Sequence, residues 1–217
     1  MLGHSLGEYT ALTASNYLSI EDCSFLLKKR GELMQNAYEP NKSGMAAIIG
    51  MNCEKTEKII KDNNLKVEIA NDKSPLQVVI SGTKNNLLDC ENIFKVNGAK
   101  RFIPLNVSSA FHSFLMIESQ KKMNYFIEEK EFLSSNMPII SNFTGKVSSN
   151  KNEILDNLRN QMSNRVRWVE SIKTLENIGE NKIIEIGPGK VLTGLIKRIS
   201  NNFKTINIDS VSDLKDL

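Results

Sequence analysis

A serine between two glycines, a histidine closing a small-residue loop and an arginine inside a helix are the side chains of this sequence best suited to chemistry. Ser5 lies in Gly3-His4-Ser5-Leu6-Gly7, which fits G-x-S-x-G. In that pattern the serine sits on a sharp strand-to-helix turn with its hydroxyl exposed for nucleophilic attack. The turn predicts that both glycines are needed, so that strand and helix can approach closely. Glu8-Tyr9-Thr10-Ala11-Leu12-Thr13-Ala14 reads as the helix that follows. N–H groups at its start would stabilise an oxyanion beside Ser5. The pattern alone is a weak signal, since any loop rich in Gly and Ser can match it. The strand that should feed the turn has only Met1 and Leu2 to represent it.

A nucleophilic serine needs a base, and the sequence has two histidines. The His4 side chain leaves the backbone in a different direction from that of Ser5, and packing or loop shaping accounts for it equally well. His112 ends the run Val107-Ser108-Ser109-Ala110-Phe111-His112 and enters a helix. It reads either as a general base or as a helix cap. No acidic residue stands out to orient it; Glu118 follows on the next helix, Glu185 lies far along the chain, and a backbone carbonyl would serve as well. Arg30 offers a planar guanidinium suited to two-point capture of a carboxylate, or else a solvated helix charge. Asn71, Lys73 and Gln77 flank a strand-to-strand connection, where they face either the site or solvent. Gly187-Pro188-Gly189-Lys190 lacks the spacing of a phosphate loop and reads as a turn.

The elements that would hold these groups follow from hydrophobic period. Residues 6–15 form a short helix, and Ser19 with Asp22 signals the start of a second that carries Arg30. Residues 45–49, 66–70, 76–81 and 100–105 read as strands, with helices at 54–63 and 84–97. That β-α-β-β-α-β order is the ferredoxin-like pattern. Helices follow over 115–132, 153–162, 169–178 and 190–200, with strands at 138–141, 182–186 and 204–208 and a polar loop at 142–150. The expected class is α/β. A large hydrolase-like subdomain (1–43 and 107–217) with a mostly parallel sheet would hold a small ferredoxin-like subdomain inserted at 44–106.

Composition removes other classes. The 217 residues carry a net charge of +3 with scattered lysines, so no nucleic-acid stripe is expected. No apolar run approaches the roughly 20 residues of a membrane span, and no signal-peptide pattern opens the sequence. Cys23, Cys53 and Cys90 are three and far apart, which points to reduced, mostly buried thiols and no metal site.

Taken in order, these pieces resemble one family, the malonyl-CoA:acyl-carrier-protein transacylases of fatty acid synthesis. Gly3-His4-Ser5-Leu6-Gly7-Glu8-Tyr9 is similar to its nucleophile motif, and Arg30-Gly31 with Met34-Gln35 to its R-G-x-x-M-Q helix. Ser74-Pro75 and Gln77-Val78-Val79-Ile80-Ser81-Gly82 are similar to S-P-G-Q-x-V-I-S-G, and Phe111-His112-Ser113 with Leu115-Met116 to F-H-x-x-L-M. Val166-Arg167-Trp168 and Glu185-Ile186-Gly187-Pro188-Gly189-Lys190 resemble its two C-terminal signatures.

The resemblance implies a malonyl ester on Ser5, His112 as base and then acid, and Arg30 on the malonyl carboxylate. Gln161 matches the residue whose backbone carbonyl orients the histidine, and the Leu6 N–H would be an oxyanion donor. Asn71 and Phe111 would meet substrate, and Phe111 favours a malonyl over a methylmalonyl pocket. Malonyl-CoA and acyl carrier protein would be the partners, with no cofactor beyond the coenzyme A thioester, in a cytoplasmic monomer. A polyketide-type acyltransferase is the neighbouring alternative. Lys73 and Leu76 replace the family's asparagine and glycine. The family's G-Q-G-S-Q segment, which supplies the second oxyanion donor, is absent. The 217 residues are therefore expected to be a C-terminal part, inactive and unstable alone.

Overall fold

The computed structural model describes residues 1–216 as an α/β fold. Helix α1 (Leu6–Ala14) follows the serine turn directly, and α2 (Ile20–Gln35) is capped by the Ser19 hydroxyl accepting from the Asp22 N–H. Then come β1 (Ser43–Ile49), α3 (Cys53–Asp62), β2 (Val67–Ser74), β3 (Gln77–Thr83), α4 (Lys84–Val96) and β4 (Arg101–Pro104). These four strands form one antiparallel sheet in the order β2-β3-β1-β4. Alternation along β1 buries both of its faces. Ala46 and Ile48 pack with residues of α3 and α4, while Met45 and Ala47 join Ala70, Val79 and Phe111 on the other side.

The remainder contains α5 (Ile117–Glu128), β5 (Ile139–Ile140), β6 (Val147–Ser148), α6 (Lys151–Leu158), α7 (Trp168–Asn177), β7 (Lys182–Ile186), α8 (Val191–Ile199) and β8 (Lys204–Ile208). Helices α1, α2, α5 and α6 share a core of Tyr9, Leu12, Leu26, Met123, Ile127 and Leu158. Trp168, Ile172, Leu195 and Phe203 form another core with Leu2 at its margin.

The expected mostly parallel sheet is not found: the strand pairing is mostly antiparallel, and β7–β8 is the one parallel ladder among the described strands. Connection length explains this. Pro75-Leu76 alone joins β2 to β3 and residues 141–146 join β5 to β6, whereas a parallel crossover needs about a dozen residues or more. Helices α3 and α4 also cross between strands, but the strands they link are separated in the sheet by an antiparallel neighbour; only α8 links two strands, β7 and β8, that pair directly. Residues 142–150 also prove not to be all loop, because β6 pairs there with β5.

Two further differences bear on the site. Helix α6 ends at Leu158 instead of running through residue 162. Asn71 is not at the strand connection: it lies within the longer β2, buried, and bridges Val166. Cys23 and Cys90 are buried, and Cys53 is half-buried. No helix among the described residues is long and apolar enough to cross a membrane.

Candidate active site

Ser5 turns the chain into α1 with φ 55° and ψ −103°. Among the described residues five non-glycines have positive φ; three are asparagines, which tolerate that region, and the others are Ser5 and His112 (φ 56°). Histidine also tolerates that region, so Ser5, whose ψ of −103° lies outside the left-handed well, carries the least accommodated backbone, as working sites often do.

The flanking glycines are not equivalent. A Cβ on Gly3 would stand 2.0 Å from the Gly7 carbonyl oxygen, whereas a Cβ on Gly7 would meet nothing within 4 Å. The expectation that both are required is therefore corrected: only Gly3 is demanded by the close approach. The turn is also clamped from far along the chain. The Asn142 side chain accepts from the Ser5 N–H at 2.6 Å through Oδ1 and donates to the Gly3 carbonyl at 2.6 Å through Nδ2. Leu6, the first residue of α1, follows Ser5 with its side chain exposed, so its place at the site is through the backbone N–H at the helix start.

His112 reaches Ser5 across 107 residues, with Nε2 at 2.8 Å from Oγ. Its Nδ1 faces the carbonyls of Gln161 at 3.1 Å and Asn164 at 3.2 Å. Both carbonyls can only accept, which places the ring proton on Nδ1 and leaves Nε2 to accept the Ser5 O–H. Gln161 lies in the turn after α6, and its carbonyl oxygen is available to the imidazole.

Buried serines hold the histidine loop. Ser81 Oγ donates to the Phe111 carbonyl at 2.6 Å, Ser113 Oγ to the Ala110 carbonyl at 2.7 Å, and Ser43 Oγ accepts from the Ala110 N–H. Phe111 packs between the helical core and the outer face of the four-stranded sheet.

Arg30 is 5% exposed on α2. Its Nη2 donates to Ser5 Oγ at 2.8 Å and to Gln161 Oε1 at 3.1 Å, its guanidinium lies over Tyr9, and its Nε is buried without a partner. Gln161 is a junction: its Nε2 also donates to the Ser5 carbonyl at 2.7 Å and to Glu8 Oε2 at 2.9 Å. Glu8, 3% exposed on the first turn of α1, also accepts from the Asn142 N–H. Ser5, His112, Arg30 and Gln161 therefore converge. Asn71 is buried with Oδ1 unpaired, but no hydrogen bond ties it to them. His4 does not serve Ser5; its ring meets Trp168 edge-on at 5.4 Å. Among the described residues no cluster of three His, Cys, Asp or Glu side chains gathers that could hold a metal.

Neither Glu8, although it lies within the motif around Ser5, nor Asn142 was given a role from the sequence. Glu8 reads as an ordinary first-turn acid, and Asn142 opens a polar stretch 137 residues from its partner, with no local pattern to mark it.

Burial, reinforced by the Arg30 charge, pushes His112 down to about 3, and burial lowers Arg30 itself. Burial pushes the Glu8 carboxyl up to about 7, against the hydrogen bonds it accepts. His112 is thus neutral across the physiological range. Labelling of Ser5 by a neutral fluorophosphonate should stay level from about pH 5 to pH 8, with no fall near the ordinary histidine value of about 6.5. A limb near 6.5 in that profile would contradict the buried, neutral base. The linked stability effect has a definite sign. The unfolded chain takes up the proton first, so the contribution of neutral His112 is complete above about 6.5 and is lost as pH falls towards 3.

Comparison with known proteins gives a consistent result. A family profile described as an acyl transferase domain matches residues 1–212. Malonyl CoA-acyl carrier protein transacylase of Bacillus subtilis (strain 168) is 42% identical over 210 residues, covering 95% of this chain and 66% of the relative. The chain thus spans just under two thirds of that protein. An acyl-carrier-protein S-malonyltransferase from Burkholderia pseudomallei 1710b superposes with a TM-score of 0.95 at 35% identity, over 99% of this chain and 71% of that one. A malonyl-transacylase solved in complex with a type II PKS acyl-carrier protein gives 0.94 at 35% identity, over 99% and 70%.

Proposed function

The chain belongs to the acyl transferase domain family, and from that membership we propose that it moves a malonyl group from malonyl-CoA to the phosphopantetheine thiol of acyl carrier protein, in fatty acid synthesis. The observation that carries this reading is Arg30: a buried guanidinium bonded to the candidate nucleophile, with its Nε unpaired. An acyl group ending in a carboxylate supplies the missing partner; an acetyl group does not.

Ser5 Oγ attacks the thioester carbonyl as His112 Nε2 takes the hydroxyl proton. The tetrahedral oxyanion is met by the Leu6 N–H at the start of α1. The C–S bond then breaks, and the imidazolium returns its proton to the coenzyme A sulfur. The carrier thiol repeats these steps in reverse on the Ser5 ester. Exchange of thioester for ester is near thermoneutral, so the reaction runs ping-pong and in both directions. The Gln161 carbonyl holds the ring in the productive tautomer in both halves. Phe111 and the unpaired amide oxygen of Asn71 are taken as substrate contacts, supported by their burial beside the histidine loop and Val166.

We read residues 44–106 as a small subdomain and the rest as the catalytic one. The protein is taken to act as a cytoplasmic monomer with no cofactor beyond its thioester substrate.

The test is intact mass spectrometry of the chain, alone or within any longer protein that carries it, after exposure to malonyl-CoA. A malonyl adduct on Ser5 is expected. Arg30→Ala should lower malonyl loading by about tenfold or more while sparing acetyl loading. No adduct on Ser5, or equal loss of both acyl groups, would overturn the reading.

A further inference from the structure

We propose that Glu8 is a positioning residue that sets the orientation of the Gln161 amide and thereby holds Arg30 at the nucleophile, making it a determinant of acyl-group selectivity. This rests on the proposed malonyl reading for its substrate, but its geometry is independent of it.

The Gln161 side chain has two ways to lie. Its amide group faces the Ser5 carbonyl at 2.7 Å and Glu8 Oε2 at 2.9 Å, both acceptors, so Nε2 belongs there and Oε1 is turned to the Arg30 donor at 3.1 Å. Glu8 is ideal for this, since an ionised carboxylate only accepts. Its oxygens also take the Asn142 N–H, on the residue whose side chain clamps Gly3 and Ser5. An amide in place of the carboxylate has one acceptor and one donor for two incoming donors. If its NH2 faces Gln161, the Gln161 amide is pushed to turn over, and its NH2 then meets Arg30, donor against donor. The guanidinium loses its support while the His112 contact, made through the Gln161 backbone carbonyl, remains.

Glu8→Gln therefore separates two functions. At pH 8, above the value near 7 to which burial pushes Glu8, it should slow Ser5 acylation by malonyl-CoA about tenfold and leave labelling by a neutral fluorophosphonate within about threefold of wild type. A residue that merely supported the fold would slow both reactions alike. The Gln161 side-chain NH2 should also exchange with solvent slowly in wild type and about tenfold faster in Glu8→Gln, read by NMR with no substrate present.

Equal slowing of both reactions or an unchanged malonyl rate overturns the proposal. If malonyl-CoA does not acylate wild-type Ser5, the malonyl reading fails instead. The amide exchange then decides the role of Glu8: faster exchange in Glu8→Gln sustains it, and unchanged exchange overturns it.

Discussion

Gly3→Ala is expected to disable the serine turn, and Gly7→Ala to leave it intact. The new methyl at position 3 would lie 2.0 Å from the Gly7 carbonyl oxygen and 2.1 Å from its carbon, far inside van der Waals contact. Both are backbone atoms, so no side chain can rotate away. The segment at Gly3 or the helix must move by more than 1 Å, and the Gly3 carbonyl and Ser5 N–H, tied to one Asn142 amide, cannot both keep their bonds. Overpacking of this kind destabilises by about 3 kcal/mol or more. Displacing Ser5 Oγ by an ångström from His112 slows its reaction about a hundredfold. At position 7 the methyl enters open space within a helix, and alanine there should gain about 0.5–1 kcal/mol. Urea unfolding and fluorophosphonate labelling of the two variants check both statements. A stable, reactive Gly3→Ala protein would show that the approach is looser than the structure has it.

His112→Gln should lower malonyl transfer by about 10²–10⁴-fold, the usual share of a general base. Glutamine can still reach towards Ser5 Oγ, which separates position from proton transfer, because an amide cannot take the hydroxyl proton. Binding of malonyl-CoA should change little, since the carboxylate is assigned to Arg30. The loss should fall on both half-reactions, because the proposed mechanism has the same imidazole protonate the departing sulfur. Single-turnover rates for loading Ser5 and for unloading it measure the two separately. A defect confined to one half would mean that another group handles the second proton.

The three side chains that meet at Ser5 were legible because each has both a distinctive type and a local frame: Ser5 its glycines, His112 its small-residue loop, Arg30 its helix. The positions of β7 and β8 were equally plain from apolar runs. Chain-distant support was not. Asn142 reads as a loop residue because its amide serves a turn 137 residues away. Glu8 reads as a helix-starting acid because burial is a property of the packed α1, α2, α5 and α6 and not of the local sequence. The end of α6 was misplaced for a similar reason. Residues 159–162 favour a helix well enough alone, but Gln120 Oε1 accepts the Met162 N–H at 2.6 Å and draws the chain away. Strand direction was mistaken in residues 107–217, where alternating helices and strands suggested parallel pairing, while β5 and β6, joined by the short link 141–146, run antiparallel.

Gln161 speaks to the imidazole through its main chain, to the guanidinium through one side-chain atom and to the serine turn through another. No other side chain combines two donors and an acceptor at that reach: asparagine is a methylene short, glutamate has no donor, and lysine and arginine have no acceptor. Over evolutionary time, then, this position has almost no single-step neighbours. Any lineage that altered it would give up at least one of these contacts.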